Sequence, residues 1–455
     1  MRQPRVAFHL RLYVWSAIFE PLFYFVLFED SVLGITGNLS RLLQLATVIL
    51  LGLRLVNPRA SRWVIPAWHR PLYRYFTVMF VLAIVAGLIG AIRGAYELPP
   101  ATHSLIERTS LSAWLLSASV RPFFEYVTAL YYFVYFVVLP RYLLSKPADL
   151  DYALLWFKRT FILVVAIGLV DFAIAFALGS NSLIPRHLAD GAKVETRFHG
   201  LAGEPRQAFV YLFLGLAMVH LYAFRQGVKL SRWWVAVVAL AAMLSQSATG
   251  VVAVAIFIGL FGAYSLRGLG PGRLVRLGAG LIVVFGLAYA TVVNSPRTMD
   301  YFRSASDLWY ILETDQELPY LMSKSNSDIY PMYDLTIKAR AGDLLPVMIG
   351  SGFGSASAVA NRYYRESAEL NNPHSQLARS LYETGLLGTF LYVTMFVAPI
   401  RAMTRPVSRS LRRDFLMFVL LLVACSLADR SSAPFSYLGM AAATFRIARL
   451  ETAAS

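Results

Sequence analysis

The segment NNPHSQLARSLYETGLLG, residues 371–388, places one histidine just before an apolar helical stretch. Asn372 suits the N-cap of a helix and Pro373 suits its first position, so we predict that a helix begins there. His374 would then lie in the first turn, where the helix dipole and free N–H groups favour an anion and disfavour a charged imidazole. A neutral histidine beside an anion can act as a general base toward a hydroxyl group.

The segment RFHGLAGEPRQAF, residues 197–209, has the same kind of helix start. Glu204 and Pro205 precede an apolar run, Arg206 follows them directly, and Arg197 lies a few residues upstream. Two helix N-termini with arginines on one side of a membrane can hold a diphosphate. The alternative interpretation is that both segments are only helix starts at a membrane interface.

Metal and disulfide chemistry find no support in the sequence. The single cysteine, Cys425, lies in an apolar run, so neither an intramolecular disulfide nor a cysteine-based metal site is possible. The histidines show no HExxH pattern or comparable ligand spacing. They are His9, His69, His103, His187, His199, His220 and His374. We therefore predict no metal and no cofactor.

The composition defines the elements that must position these residues. Of the 455 residues, 57% are hydrophobic and 15% are charged, and the mean hydropathy is +0.56. A soluble core cannot hide this much apolar surface, so the sequence predicts an all-α integral membrane protein. Apolar runs near the roughly 20 residues that cross a bilayer recur along the chain. We predict about twelve spans, at 11–28, 39–56, 73–92, 122–140, 160–179, 207–224, 233–246, 249–266, 277–294, 380–400, 414–428 and 435–448, with only residues 245–250 separating the seventh from the eighth.

Charge predicts the orientation of these spans. With Met1 in the cytoplasm, most Lys and Arg fall in cytoplasmic segments, including the predicted loop 141–159, which agrees with the positive-inside rule and puts both termini there. The formal charge of +16 is therefore a topological signal. Nucleic-acid binding is disfavoured, because the basic residues are scattered over short loops and form no contiguous domain.

Two predicted outer loops depart from the short connections elsewhere. The loop 180–206 carries cations against the positive-inside trend, and the loop between the ninth and tenth spans covers residues 295–379. A structureless loop of that length is unusual, so we expect a functional module with short helices along the membrane, for example around 331–348. This divides the chain into residues 1–294, the outer module 295–379, and residues 380–455.

Three of these segments resemble the bacterial O-antigen ligase and polymerase family. HSQLARSLYETGLLG is similar to the family signature of His, then Asn, Ser or Gln, nine residues, Gly, two residues and a small residue. GSGFGSA, residues 350–356, resembles the Gly-rich turn that precedes the family histidine, and RFHGLAGEPRQAF resembles the Arg-x-x-Gly...Pro element of the other outer loop. The resemblance covers roughly residues 195–400. The signature positions are His374, Ser375, Gly385 and Gly388.

The resemblance implies a metal-independent, inverting glycosyl transfer at the periplasmic face of the inner membrane. The donor is a glycan on undecaprenyl diphosphate, and the acceptor is either another lipid-linked glycan or the lipid A core. His374 is implied as the base. Arg197, Arg206, Glu204 and Ser375 are implied to contact the diphosphate or the glycan.

This sequence also departs from the family pattern. Family members usually place a second arginine early in the large outer loop, followed by an aromatic residue and a helix. Here Lys324 is the nearest cation, and Arg303 lies farther back, so both are candidates for the second phosphate contact. Glu204, where the family more often has Asn, favours a polymerase over a ligase.

A protein of another class remains as an alternative, namely a twelve-span transporter or flippase of lipid-linked sugars. Such proteins typically have two related halves and charged residues at mid-membrane. The sequence shows no similarity between its halves, and Glu20 and Asp171 are the main ionisable residues within spans. These features favour the enzyme.

Overall fold

The described part of the chain is helical. The computed structural model describes residues 7–22, 39–55, 70–97, 121–178, 184, 197–228, 230–247, 250, 253–254, 256–257, 313, 329–363, 375–402, 409–428, 435 and 437–444. No strand occurs in these ranges. The helices are α1 Phe8–Phe19, α2 Leu39–Leu55, α3 Arg70–Ile92, α4 Arg121–Tyr132, α5 Pro140–Leu143, α6 Pro147–Leu178, α7 Pro205–Arg225, α8 Arg232–Ser245, α9 Ile329–Arg340, α10 Leu344–Ile349, α11 Ser355–Tyr363, α12 Gln376–Ala402 and α13 Arg409–Ala428. Between α4 and α5 lies a π-helix, Phe133–Val138, and residues 437–444 are also helical.

Within the described ranges, four helical stretches are long and apolar enough to cross a membrane. They are Leu72–Ile92, Pro122–Leu143, Pro147–Leu178 and Pro205–Arg225. Large apolar side chains on α2, α3 and α6 point outward at helical spacing, as in Leu45, Val48, Ile49, Val81, Val85, Leu88, Leu163, Ile167 and Val170. These are the properties of a helical membrane protein.

Several predicted spans coincide with helices of the structure. The spans predicted at 39–56, 73–92 and 207–224 correspond to α2, α3 and α7. The predicted interruption after the seventh span is also present, because α8 ends at Ser245 and Gln246 is left-handed with a φ of 45°. The predicted spans 249–266 and 277–294 lie mostly or entirely outside the described residues.

Two predicted boundaries were wrong. The first span was expected to run to residue 28, but α1 ends at Phe19. Pro21 explains this end, since its ring nitrogen has no N–H to continue the helical hydrogen bonds. The segment 141–159 was expected to be a loop, but α6 already begins at Pro147. Proline is well suited to a first helical position, and the 32-residue helix is longer than a bilayer core requires.

The short helices expected in the outer module are present, although the stretch around 331–348 is divided. α9 ends at Arg340, and α10 begins at Leu344. Gly342 separates them with a φ of 78°, a conformation that glycine adopts without steric cost.

One buried apolar cluster unites the N-terminal and C-terminal helices. Tyr13 of α1, Phe136 of the π-helix, Met395 of α12 and Val419 of α13 are fully buried members of this cluster. α3 packs extensively along α12, and α6 packs along α7. Helices from the two ends of the sequence therefore share one core, and α12 is held against the N-terminal half of the chain.

Candidate functional site

Helix α12 begins later than the sequence suggested. Its first residue is Gln376, so the predicted start at Pro373 was wrong by three residues. Ser375 explains the difference, because its hydroxyl accepts a hydrogen bond from the N–H of Ala378 at 3.3 Å, as an N-cap residue does. His374 itself lies outside the described residues. The capping role of Ser375 was missed because the residue types of Asn372 and Pro373 suit a helix start equally well.

A buried ion cluster holds the first turns of α12. Arg379 Nε donates to Glu383 Oε2 at 2.9 Å, which confirms the pair predicted from their spacing. Arg379 Nη2 also lies 2.8 Å from Glu125 Oε2, at the start of α4. The Arg379 and Glu383 side chains are 8% and 2% exposed. One guanidinium therefore neutralises carboxylates from two helices away from water, an arrangement that fixes α12 against α4.

Helix α12 is interrupted at Gly385. This residue has a φ of 65° and a ψ of −171°, which is outside the helical region. A Cβ at this position would lie 2.4 Å from the backbone of Met348 and 2.6 Å from Gly350 N. Conversely, a Cβ on Gly350 would lie 2.4 Å from the backbone of Glu383 and Thr384. The two segments of the chain pass so closely that only glycines fit where they cross.

The Gly-rich turn 350–355 uses its backbone donors on the protein itself. A phosphate-binding loop needs N–H groups that point at the ligand, whereas here each N–H from residue 350 to 355 has a protein acceptor. The sequence therefore builds a structural joint at this turn and not a nucleotide loop. The bonds run from Gly350 to Pro346 O, Ser351 to Tyr382 O, Gly352 to Glu383 O, Phe353 to Tyr126 Oη, Gly354 to Glu383 Oε1 and Ser355 to Gly352 O.

The same turn packs against the C-terminal end of α3. A Cβ on Gly352 would lie 2.2 Å from Gly87 Cα, and a Cβ on Gly90 would lie 2.2 Å from Ser351 O. Tyr96, which follows α3, donates from its hydroxyl to Phe353 O at 3.1 Å. Burial raises the pKa of the Tyr96 phenol, which keeps this donor protonated. The turn thus joins α3, α4 and α12.

A second polar cluster joins the outer module to α12. Lys338 Nζ of α9 lies 2.7 Å from Asp334 Oδ2, and Tyr382 donates from its hydroxyl to the same oxygen at 2.6 Å. Asp334 and Tyr382 are buried. Asp334 and Lys338 lie four residues apart on α9, but their contact with Tyr382 was not predicted, because Tyr382 comes from a distant segment of the chain.

Arg197 lies at the C-terminal end of α8. Its Nε donates to Ser245 O at 3.2 Å, and its Nη2 donates to Gln246 O. The neighbouring N–H of Phe198 donates to Leu244 O at 2.9 Å. A cation at this position complements the negative end of the helix dipole. The structure therefore gives Arg197 a capping function that the sequence analysis did not foresee.

Glu204, Pro205 and Arg206 form the predicted helix start. Glu204 has extended backbone, and Pro205 is the first residue of α7, which confirms a helix N-terminus here. Arg206 Nη2 lies 3.3 Å from Glu204 Oε2, and both side chains are about one-fifth exposed, at 22% and 19%. Glu204 and Arg206, two of the residues proposed from the sequence as substrate contacts, are thus paired with each other. Lys324 and Arg303, the candidates for the second phosphate contact, lie outside the described residues.

A polar cluster between α1, α2 and α4 was not predicted as a unit. Glu20 Oε1 lies 3.1 Å from Arg41 Nη2, and Ser40 donates to Glu20 Oε2 at 2.7 Å. Gln44 contacts the same carboxylate and accepts from Tyr131 at 2.7 Å. Glu20 was recognised as an ionisable residue in a span. Its partners were not, because they depend on how three helices pack.

The described residues contain no group of three or more His, Cys, Asp or Glu side chains arranged to hold a metal ion. Compared with known proteins, the chain matches no protein-family model and no curated sequence.

Proposed function

We propose that this chain is a glycosyltransferase of the bacterial inner membrane that joins glycan units carried on undecaprenyl diphosphate. The reaction is inverting and independent of metal, and growth of a lipid-linked polymer is favoured over transfer to a lipid A core. The proposal starts from the resemblance of three segments to the O-antigen ligase and polymerase family.

One observation carries the proposal. The Gly-rich turn 350–356 and the helix that follows His374, which resemble neighbouring elements of that family, lie directly against each other at Gly350 and Gly385. The Glu383 carboxylate accepts from the turn and from Arg379. Gly350 and Gly385 lie on the two sides of this crossing, and Gly385 is also the signature glycine at which α12 is interrupted. The close approach of the two segments gives a physical reason for the spacing of the motif.

The proposed chemistry assigns one proton transfer and one bond exchange. The acceptor hydroxyl oxygen attacks the anomeric carbon and gives its proton to His374, while the bond from that carbon to the diphosphate oxygen breaks. The diphosphate leaves with the electron pair. Arg197 and the N-terminus of α7, with Arg206, contribute positive potential where this charge develops. Because two donor groups of Arg197 serve α8, its contribution rests on its charge.

The proposed topology has about twelve spans, with both termini in the cytoplasm and the site at the periplasmic face. Two hydrogen bonds between described helices support this alternation, since each joins the start of one helix to the end of its neighbour. Glu20 at the end of α1 meets Ser40 at the start of α2, and Arg197 before α7 meets Ser245 at the end of α8.

The test is a glycan-joining assay with purified protein in proteoliposomes. Undecaprenyl-diphosphate repeat units are added with and without a lipid A core acceptor and without added metal, and the products are analysed by gel and mass spectrometry. A ladder of longer lipid-linked glycans is the expected result. Product only in the presence of core would identify a ligase. Translocation of the lipid without any new glycosidic bond would overturn the proposal in favour of a transporter.

A further inference from the structure

The short helix α10 exposes an apolar face. Leu344, Leu345 and Met348 are exposed, with Leu344 at 61%, although the helix packs on α12 and α3 on its other side. Ile337, near the end of the neighbouring helix α9, is exposed as well. Several large apolar side chains exposed on one short helix are unfavourable in water, so this face needs an apolar partner.

This face continues the apolar surface of two long helices. Met348 lies beside Gly385 on α12, and the next residues of α12, Leu386 and Leu387, are exposed. On α3, Leu88 and Ile92 are exposed as well. α3 is long and apolar enough to cross a membrane, and its outward side chains face lipid if it does so. α10 therefore packs on two helices that both carry exposed apolar side chains, at residues 386–387 of α12 and toward the C-terminal end of α3.

The position of the Gly-rich turn along α3 gives its depth. Gly352 packs on Gly87, which precedes the last apolar residue of α3, Ile92, by more than one helical turn. At 1.5 Å per residue this places the turn about 7 Å below the end of the apolar helix. The turn thus reaches into the level of the spanning segment instead of lying above it.

An ion pair marks the upper limit of this apolar zone. Arg93 follows Ile92 directly, and Asp343 precedes Leu344 directly. The Arg93 Nη1 atom lies 3.1 Å and 2.9 Å from the two carboxylate oxygens of Asp343, and both side chains are partly exposed. Both segments of the chain change from charged to apolar residues at this pair, as expected where lipid headgroups meet hydrocarbon.

The backbone of the segment suits an apolar environment. Irregular backbone at membrane depth is tolerated only where its polar groups are satisfied inside the protein. Every N–H from residue 350 to 355 has a protein acceptor, and Gly350, Ser351, Gly352 and Gly354 are buried. The N–H groups of the turn therefore meet the condition for lying below the membrane surface.

We propose that residues 344–354 form a re-entrant segment. It enters the leaflet that holds the C-terminal end of α3, with Leu344, Leu345 and Met348 in contact with lipid acyl chains. α10 descends from the Arg93–Asp343 pair, and the Gly-rich turn brings the chain to α12 inside the leaflet. The occupant of the exposed face of α10 is membrane lipid. This inference does not depend on the chemistry that the protein performs.

The test measures the environment of single spin labels in lipid bilayers. In a full-length Cys425→Ala background, labels are attached at Leu345→Cys and Met348→Cys. Leu88→Cys, on the outward face of α3, is the lipid control. Glu97→Cys, which is exposed beyond the end of α3, is the water control. Collision rates with oxygen and with a water-soluble nickel chelate report depth.

We expect the labels at 345 and 348 to have the same ratio of oxygen to nickel collision rates as the label at 88. This ratio should be several-fold higher than that of the label at 97. A ratio equal to that at 97 would place α10 in water and overturn the proposal. Protection from both reagents together with spin–spin broadening would show a second copy of the chain covering α10, which also overturns it. Because the assay needs no substrate, its outcome is independent of glycosyl transfer.

Discussion

Glu383 accepts a hydrogen bond from the N–H of Gly354 at 2.8 Å, through one carboxylate oxygen. Its other carboxylate oxygen accepts from Arg379, so one buried side chain connects the Gly-rich turn to the ion cluster of α12 and α4. The helix that follows His374 is thereby fixed to the outer module and to the N-terminal half of the protein.

Gly385→Ala should destabilise the protein strongly. The added Cβ would overlap the backbone of Met348 and Gly350, and the left-handed φ is unfavourable for alanine. We expect a loss on the order of 3 kcal/mol in the free energy of unfolding. Gly342→Ala is the matched control, because Gly342 also has a positive φ but has open space around it. There the loss should be about 1 kcal/mol. Thermal unfolding in detergent compares the two, and equal losses would contradict the close crossing.

Arg379→Met should cost more stability than Glu383→Gln. Removing the guanidinium leaves Glu125 and Glu383 buried without its positive charge, and losing one partner of a buried ion pair costs about 3–5 kcal/mol. Glu383→Gln keeps an oxygen for the N–H of Gly354 and leaves Arg379 beside Glu125. Denaturant midpoints of both variants and of the double variant measure the coupling. Independent, additive losses would show that the cluster does not act as a unit.

Ser375→Ala should weaken the start of α12 by about 1 kcal/mol, since the N-cap hydrogen bond to the N–H of Ala378 is lost. Ser375→Asn can replace this acceptor and should restore most of the stability. Hydrogen exchange of the first turn of α12 reports the effect locally. If Ser375→Asn recovers stability but not glycan joining, the hydroxyl also serves the substrate, as the sequence predicted.

Arg197→Ala should reduce both stability and activity. Losing the hydrogen bonds to Ser245 O and Gln246 O should cost about 1–3 kcal/mol, and the charge proposed to face the diphosphate is lost as well. Arg225→Ala is the control. Arg225 pairs with Asp151 at 3.1 Å near the other end of α7, so its loss should affect stability alone. Unfolding midpoints and glycan-joining rates are measured side by side. If Arg197→Ala and Arg225→Ala reduce the glycan-joining rate equally, Arg197 has only a structural role.

Local sequence patterns predicted the helices and the near-neighbour contacts. Apolar runs located α2, α3 and α7, and the spacing of four residues predicted the pair of Arg379 with Glu383. The start of α12 was misplaced by competing local signals: the residue types of Asn372 and Pro373 suit a helix start, yet Ser375 caps the helix. The alternation of Gly350, Gly352 and Gly354 is a usable signal that another backbone segment lies close to this turn. It does not show which segment of the chain that is.

Contacts between distant segments were beyond the sequence. Glu125 meets Arg379, and Tyr382 meets Asp334, because helices from different parts of the chain pack together. A single sequence holds no pattern that connects such positions. The capping role of Arg197 was missed for the same reason, since the end of α8 lies far along the chain from it.

The most direct test of the central claim is the glycan-joining rate of His374→Ala in proteoliposomes, with undecaprenyl-diphosphate repeat units as substrate. His220→Ala, a change on α7 away from the predicted helix start, is the control, and both variants must match the native protein in membrane insertion and unfolding midpoint. The account predicts a ladder of longer lipid-linked glycans from the native protein and from His220→Ala, with a loss of at least about 100-fold for His374→Ala, the usual contribution of a general base. Full activity of a folded His374→Ala protein would contradict the account.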